Sequence, residues 1–458
     1  LYGPGRHTDH GGGYGQRQAE ENRDAEAVDD AGGDVPRLIV RQDTAMPKIA
    51  AIYAETPMDV IQAWQAFHSV DDAAPGLSRR FSDAQWEFRS RDLQGTPMQR
   101  PRDKRGISFA EGMLGEAVGR QYVAEYFPAE SKAKMEELVA NLRTALSHRI
   151  DNLTWMGDET KAAAQEKLRK FTVKIGYPDK WRDYSGLEIR ADDLVGNAER
   201  RGLFEWNYDL ARLDEPVDKS EWGMTPQTVN AYYNSANNEI VFPAAILQPP
   251  FFDPNGDAAV NYGGIGGVIG HEIGHGFDDQ GSKSDGDGVL RNWWTAEDKA
   301  NFEALTARLG AQYATYEPIA GYKINPGLTM GENIGDASGV AVGLEAYHLS
   351  LNGQPAPVID GTTGDQRFFY GWAQVWQSKY RDEALKQQVA TLGSGGTVPA
   401  DVIAAAEAAE ARLKQAEASA SALAEEAMAA AAAGSTPLKL MPTMCTRLTT
   451  SGITQAAC

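Results

Sequence analysis

The pentapeptide His-Glu-Ile-Gly-His at residues 271–275 restricts the local structure of this chain more than any other segment. On an α-helix, residues four positions apart lie on the same face, so the imidazoles of His271 and His275 can converge on one zinc ion. Glu272 lies between them and would be close enough to accept a proton from water held at that ion. The pattern therefore predicts a helix with a metal-binding face, although two histidines at this spacing also occur in helices that bind no metal.

A second segment, residues 331–336, is an independent indication of a metal site. A catalytic zinc site of this class needs a third protein ligand, and Glu332 offers a carboxylate. Asp336 follows one helical turn later, where it can accept a hydrogen bond from the outward nitrogen of a ligating histidine, and Asp278 offers a second such partner. Alone, Glu332 would be interpreted as a solvated helix residue. Together with the histidine pair, it predicts that these three side chains bind one Zn²⁺ per chain.

The overall composition is that of an acidic globular protein. The 458 residues are 42% hydrophobic and 24% charged, which is ordinary for a chain that buries a core, and the length suits several domains or one large two-lobed enzyme. The net charge of −20 and the pI of about 4.8 repel phosphate backbones and anionic lipids, so we expect no nucleic-acid partner. The sequence has no run of about 18 or more apolar residues, so we expect no membrane span.

The ends of the sequence carry little information about location. Both cysteines, Cys445 and Cys458, lie near the C-terminus, so they neither form a disulfide framework for the body of the chain nor indicate its compartment. The first residues contain no initiator methionine and no basic segment followed by an apolar one, so no signal peptide is visible. Residue patterns alone therefore leave the cellular compartment and the oligomeric state open.

The pattern of apolar residues divides the chain into four regions. Residues 1–45 are rich in glycine and charged residues and predict a segment of low order. Residues 46–215 repeat apolar residues three and four positions apart and predict a mostly helical lobe. Residues 216–392 contain two short β-like runs, an Asn-rich turn and the histidine helix, and predict the zinc-binding catalytic lobe. Residues 393–458 begin with a Gly-Ser-Gly-Gly linker and predict an Ala-rich helix followed by an unstructured tail.

The segments around the metal motif carry longer motifs. They are Trp-Gly-Met-Thr-Pro at 222–226, Asn-Ala-Tyr-Tyr at 230–233, the runs at 242–252 and 269–281, Asn-Trp-Trp at 292–294, the segment 331–336 and Gln-Arg-Phe-Phe at 366–369. With these motifs the chain resembles the neprilysin / endothelin-converting-enzyme family of zinc metallopeptidases, in its bacterial oligopeptidase form, over roughly residues 46–392. The resemblance implies a mainly α, two-lobed fold, in which a thermolysin-like catalytic lobe and a helical lobe enclose a central cavity that admits peptides and excludes folded proteins.

The resemblance also implies a role for each polar residue of the metal motifs. The zinc ligands would be His271, His275 and Glu332. Glu272 would be the general base, and Asp336 and Asp278 would orient the two histidines.

The same resemblance implies how a substrate binds. Asn230 and the backbone of Ala231 would hold the main chain of the peptide, although without the family Asn230 would be interpreted as a residue flanking a turn. Family members typically cleave before a hydrophobic residue, so oligopeptides are the expected substrates. The resemblance to this family also favours an extracytoplasmic location, either periplasmic or secreted.

The C-terminal region departs from the family pattern. The family continues after the helix that contains Trp372 and Trp376 with an Asp-x-His-x-Pro segment and an arginine, which help to bind the oxyanion and the substrate, whereas the last histidine here is His348. Losing one preorganised donor to an oxyanion commonly lowers the rate by about 10²–10³. The sequence thus leaves two main functions open: an active zinc-dependent metalloendopeptidase that hydrolyses oligopeptides, or a catalytically weak or inactive zinc- or peptide-binding protein. A helical scaffold whose Ala-rich region recruits a partner is a third, less supported alternative.

Overall fold

The computed structural model describes residues 44–213 and 215–393, and the predicted Ala-rich helix, the tail and nearly all of the low-order N-terminal segment lie outside these residues. The described chain is mainly helical, as predicted. Its α-helices are α1 (Ala45–Glu55), α2 (Met58–Ala73), α3 (Arg79–Trp86), α4 (Arg102–Tyr126), α5 (Ala129–Asp151), α6 (Asp158–Arg169), α7 (Leu194–Leu210), α8 (Ala258–Asn261), α9 (Gly267–Gly274), α10 (Ala296–Tyr313), α11 (Pro326–Ser350), α12 (Gly364–Val375) and α13 (Asp382–Gly393). Its strands are β1 (Thr172–Gly176), β2 (Tyr232–Asn234) and β3 (Glu239–Pro243). None of these helices combines the length and the apolar character that a membrane crossing requires.

The described residues form two compact units. The larger unit comprises the start of the described chain through Ile52, Pro101–Tyr316 and Asn325–Lys379. The smaller unit comprises Tyr53–Arg100, Glu317–Ile324 and the chain from Tyr380 to the end of α13. All residues that the sequence predicts to bind metal or substrate belong to the larger unit. The predicted lobe boundary at residues 215–216 falls within this unit and stays a prediction.

Helix α5 forms part of the core of the larger unit. Its apolar side chains recur three and four positions apart, so they lie on one face of the helix. The buried members of this face are Met135, Leu138, Val139, Leu142 and Ala145. Burying one leucine side chain fully contributes about 1.5–3 kcal/mol, so this face contributes strongly to the stability of the unit. The helical pattern predicted within residues 46–215 is thereby confirmed for α5.

A three-stranded sheet lies in the same unit, with the strand order β1-β3-β2. The central strand β3 is parallel to β1 and antiparallel to β2, and all five of its residues are buried. Of the two β-like runs predicted from the sequence, the one at residues 239–243 is confirmed as β3, and the one at residues 229–233 overlaps β2 only at Tyr232 and Tyr233. Strand β1 was not predicted, because it is only five residues long and lies in a region with a helical pattern. Among the described strands, β2 lies at the edge of the sheet.

Helices α9 and α11 approach each other closely, and glycine makes this approach possible. A Cβ atom on Gly339 would lie 2.6 Å from the backbone nitrogen of His271, and one on Gly270 would lie 2.8 Å from the Cα atom of Gly339. Such distances exclude any larger residue without a shift of the backbone. Because Glu332 precedes Gly339 by about two helical turns on α11, this close packing brings its carboxylate toward the histidines of α9.

Candidate metal and catalytic site

Helix α9 carries both predicted histidines on one side. It follows a π-helical turn over Tyr262–Gly266 and ends at Gly274, with His275 as its C-terminal cap. The ring centroids of His271 and His275 are 4.5 Å apart, and the ring planes are nearly perpendicular at 89°. The side chains remain 12% and 19% exposed, respectively, although every other residue of α9 is buried. The predicted helix is confirmed, and it presents the two imidazoles at an otherwise buried surface.

Each imidazole is held by a carboxylate at its Nδ1 atom. The Nδ1 atom of His271 lies 2.9 Å from Oδ1 of Asp336 on α11, and that of His275 lies 2.7 Å from Oδ2 of Asp278 in the loop after α9. These contacts favour the tautomer in which Nδ1–H donates to the carboxylate, which leaves the Nε2 lone pair available to a metal. The structure therefore brings Asp336 and Asp278 to the positions that the sequence predicted for them.

The same carboxylates raise the pKa values of both histidines. Burial lowers the pKa of His271, but hydrogen bonds to Asp336 and Glu332 outweigh this effect and raise the pKa to about 10. Burial also opposes the charge on His275, and the hydrogen bond to Asp278 outweighs it, so that this pKa is raised as well. The site thus has a negative potential that favours a bound cation.

Glu332 faces the Nε2 atoms of both histidines. Its Oε2 atom lies 3.3 Å from Nε2 of His271, and its Oε1 atom lies 3.8 Å from Nε2 of His275. Across the described parts of the chain, only these three side chains form a group of potential metal ligands, with one donor atom from each lying within 4.8 Å of the others. Two imidazole nitrogens and one carboxylate, open to solvent through the 69% exposed Glu332, are a donor set typical of catalytic zinc sites. The residues present therefore fit Zn²⁺.

Glu272 lies between the two histidines in sequence, but its side chain is buried, with 7% of the residue exposed. Burial raises the pKa of Glu272, while the charges of His271 and His275 and a hydrogen bond from the backbone N–H of Tyr233 lower it, and the net effect is an increase. A carboxyl with a raised pKa is suited to accepting a proton and returning it near neutral pH. The contact from Tyr233 was not predicted, although this residue belongs to the Asn-Ala-Tyr-Tyr motif.

The two residues predicted to hold the substrate directly precede β2. Asn230 is half-buried and Ala231 is buried. Tyr233, two residues after Ala231, lies on β2 and donates its N–H to Glu272, so chain connectivity brings this segment close to the Glu272 carboxyl. The role of Asn230 and Ala231 in substrate binding stays a prediction.

Comparison with known protein families gives two matches, and both are described as Peptidase family M13. One covers residues 230–394 and the other covers residues 21–178. The first match includes the histidine helix, the predicted third ligand and the segment before β2.

Curated relatives give the same result. Human neprilysin is 36% identical over 362 residues, which cover 76% of this chain and 48% of the relative. The endothelin-converting enzyme homolog of Locusta migratoria is 36% identical over 340 residues, which cover 71% of this chain and 46% of the relative. The chain therefore spans about half the length of the curated relatives that it matches.

Solved structures agree with these matches. The zinc metalloprotease ZMP1 of Mycobacterium tuberculosis, solved in complex with an inhibitor, aligns with a TM-score of 0.74 at 48% identity, covering 79% of this chain and 55% of that chain. PEPO from Lactobacillus rhamnosis aligns with a TM-score of 0.67 at 32% identity, covering 74% of this chain and 53% of that chain. Both alignments extend over most of this chain.

Proposed function

Because this chain belongs to peptidase family M13, the family of neprilysin and the endothelin-converting enzymes, we propose that it is a zinc-dependent metalloendopeptidase that hydrolyses oligopeptides. The observation that carries this proposal is the convergence of donor atoms from His271, His275 and Glu332 beside the buried carboxyl of Glu272. The family matches support zinc-dependent peptide hydrolysis, and they do not favour a catalytically weak or inactive binding protein or a helical scaffold over it.

One Zn²⁺ per chain would be held by Nε2 of His271, Nε2 of His275 and the carboxylate of Glu332. When bound there, Zn²⁺ polarises the substrate carbonyl and lowers the pKa of water at the site. Asp336 and Asp278 accept the Nδ1–H groups of the two histidines, so they fix the tautomer and the direction of each Nε2 lone pair. The protein thereby orients two of the three metal-binding side chains before a metal ion binds.

Glu272 acts as the general base in this proposal. Its carboxylate accepts a proton from the attacking water and later returns that proton to the leaving amine of the peptide. General acid–base catalysis of this kind contributes about 10²–10⁴ to the rate. Burial and the hydrogen bond from the N–H of Tyr233 hold the carboxyl in one position near the histidines. The group that transfers the proton is therefore already oriented.

The substrate would bind in an extended conformation beside the edge strand β2. Edge strands carry backbone groups that can pair with an added strand, and many proteins recognise peptides in this way. Asn230 and the backbone of Ala231 lie at the start of β2, where they can hydrogen-bond the main chain of the peptide. Recognition through the main chain suits an enzyme that cleaves peptides of varied sequence, with a hydrophobic residue preferred after the cleaved bond.

Zinc analysis combined with a peptide assay tests this function. The purified chain should contain one zinc per chain by elemental analysis and should cleave a fluorescence-quenched oligopeptide that carries a hydrophobic residue after the scissile bond. A chelator should abolish cleavage, and added Zn²⁺ should restore it. Cleavage that persists in chelator, or a chain that contains zinc and cleaves no peptide of this kind, would contradict the proposal.

We also propose an extracytoplasmic location, which rests on the family resemblance alone. Fractionation of the source cells, followed by detection of the protein with an antibody, tests it. Recovery in the periplasmic or secreted fraction is expected, and recovery only in the cytoplasmic fraction would contradict it.

A further inference from the structure

Lys167 on α6 is a buried lysine that the proposed chemistry does not use. Only 1% of the residue is exposed, which is rare for lysine because the ammonium group is costly to remove from water. Its Nζ atom donates to two backbone carbonyls in the loop that follows the histidine helix, those of Gly281 and Ser284, each at 2.7 Å. A buried cation with two acceptors in one loop fixes that loop relative to α6.

Three aromatic rings surround the same ammonium group. Nζ lies 5.8 Å from the ring centroid of Tyr233, 5.6 Å from that of Phe277 and 5.8 Å from that of Trp293. Cations are attracted to the faces of aromatic rings, and the attraction is stronger away from water. Burial lowers the pKa of Lys167 and outweighs the charges of Asp278 and Asp285, which raise it, so that the resulting pKa is about 7. The rings, the carbonyls and the nearby carboxylates together favour a cation at this position.

A short hydrogen-bonded path connects Lys167 to His275. The carbonyl of Gly281 accepts from Lys167, and the N–H of the same residue donates to Oδ1 of Asp278 at 2.7 Å. The other carboxylate oxygen of Asp278 lies 2.7 Å from Nδ1 of His275. A Cβ atom on Gly281 would lie 1.8 Å from the carbonyl oxygen of His275, so the loop passes directly against the end of α9.

A second path leads from Lys167 to the catalytic carboxyl. The ring of Tyr233 forms one wall around the ammonium group, and the backbone N–H of Tyr233 donates to Glu272. Lys167 is therefore linked to two parts of the site. It is linked to the His275 imidazole through Gly281 and Asp278, and to the Glu272 carboxyl through Tyr233.

We propose that Lys167 is a positioning residue of the metal site, which holds the 278–284 loop so that Asp278 keeps His275 oriented for zinc. This inference rests on the proposed function, because it concerns the affinity of the same site for zinc. Lys167 touches neither substrate nor metal; it acts through Gly281 and Asp278. Removing the group that hydrogen-bonds a metal ligand typically lowers metal affinity by about 10–100-fold, and Lys167 acts on that group, Asp278, through Gly281.

The test is the substitution Lys167→Met, which keeps most of the buried side-chain volume and removes both donated hydrogen bonds. The zinc dissociation constant, measured by competition with a chromogenic chelator, should rise by about tenfold, the lower end of the range for a direct partner of a ligand. Melting temperatures with zinc and with chelator provide the second readout. A purely structural lysine would lower both equally, whereas a positioning residue reduces the difference between them.

Lys170→Met is the matched control. Lys170 caps the same helix and, at the surface, donates hydrogen bonds of 2.7 and 2.8 Å to Asp287, which lies beyond the 278–284 loop. Because surface ion pairs contribute little, its zinc dissociation constant should stay within about twofold of the parent.

If Lys167→Met does not fold, Trp293→Phe tests the same loop more gently, since it removes the indole N–H that donates to the Ser284 carbonyl at 3.0 Å. The loss of one hydrogen bond should then weaken zinc binding by about three- to tenfold. A zinc dissociation constant within about twofold of the parent in the folded variant, whichever of the two is used, would overturn the inference. A parent chain that binds no zinc would instead contradict the proposed function, so the two failures are distinguishable.

Discussion

The two halves of the metal site are built differently. The histidine half consists of His271 and His275, which lie on one helix, are 12% and 19% exposed and are each held at Nδ1 by a carboxylate. The glutamate half consists of Glu332 alone, which lies on α11 and has a side chain that is 69% exposed. The first half is fixed by its surroundings, whereas the second half is positioned chiefly by the close packing of α9 and α11.

The difference determines which side chains are already oriented when zinc binds and which side chain is ordered by zinc binding. Fixing a long glutamate side chain costs up to about 1.5–2 kcal/mol of rotamer entropy, and that cost arises on metal binding if the side chain is mobile beforehand. For the histidines the same kind of cost is met during folding, because burial and the Nδ1 hydrogen bonds already orient the rings. Changes in the histidine half should therefore affect both folding and zinc binding, and changes in the glutamate half should affect zinc binding alone.

Glu332→Gln should give the largest change in zinc affinity with the smallest change in the protein without zinc. Loss of a direct ligand should weaken binding by more than the roughly 100-fold upper value for an indirect partner. The melting temperature in chelator should stay nearly constant, because substitutions of exposed side chains usually change stability by less than about 0.5 kcal/mol. Chelator competition and thermal unfolding measure the two effects.

Glu345→Gln is the control for Glu332→Gln, because Glu345 lies on the same helix and pairs with Arg149 away from the site. It should retain the zinc affinity of the parent. A large loss of stability in chelator for Glu332→Gln would show that the glutamate half is as firmly built into the fold as the histidine half.

Asp278→Asn and Asp336→Asn should weaken zinc binding by about 10–100-fold, with the larger effect at Asp278. The Asp278 side chain is 4% exposed and also accepts backbone N–H groups from Gln280 and Gly281, whereas the Asp336 side chain is 44% exposed. Asp278→Asn should also lower the melting temperature in chelator more than Asp336→Asn does. Equal effects of the two substitutions on zinc affinity and on melting temperature would contradict the expectation that the more buried carboxylate contributes more.

A further expected effect is a pH dependence of the melting temperature in chelator. The pKa of His271 is raised to about 10 in the folded chain, above its ordinary value of about 6.5 in an unfolded chain. A raised pKa stabilises the fold fully below the unfolded value, and this contribution is lost as the pH rises toward about 10. The charge on His271 should therefore contribute a fall in the melting temperature of the parent in chelator between about pH 6.5 and 10. Lys167, whose pKa is lowered to about 7, contributes in the opposite direction over a similar range, and this contribution is common to the parent and the variant described next.

Asp336→Asn is the comparison for this pH dependence, because it removes the first hydrogen bond that raises the pKa of His271. Its melting temperature should fall less over the same pH range. Identical pH profiles for the parent and the variant would contradict the role of Asp336 in raising the pKa of His271.

Local sequence patterns predicted the parts of the molecule that depend on local spacing. The helix at residues 271–275 and helix α5 follow from apolar and ligand residues three and four positions apart, and both are confirmed. The structure also brings Glu332 to the two histidines, as the sequence motifs predicted, while its role as the third zinc ligand stays a prediction.

Features that depend on distant contacts were not predicted. Strand β1 is stabilised by pairing with β3, which lies far along the chain, so its short apolar pattern alone did not reveal it. Lys167 lies in a charged helical segment and would be expected at the surface. Only the tertiary packing of three rings and one loop around it makes it a buried residue.

The most direct test of the central claim is a paired measurement on Glu272→Gln, of its zinc content and its rate of peptide hydrolysis. Glutamine keeps the shape of the side chain but cannot accept the proton from water. The account predicts one zinc per chain, as in the parent, with kcat lowered by about 10²–10⁴. A variant that retains zinc and cleaves peptide at the parental rate would contradict the assignment of Glu272 as the base.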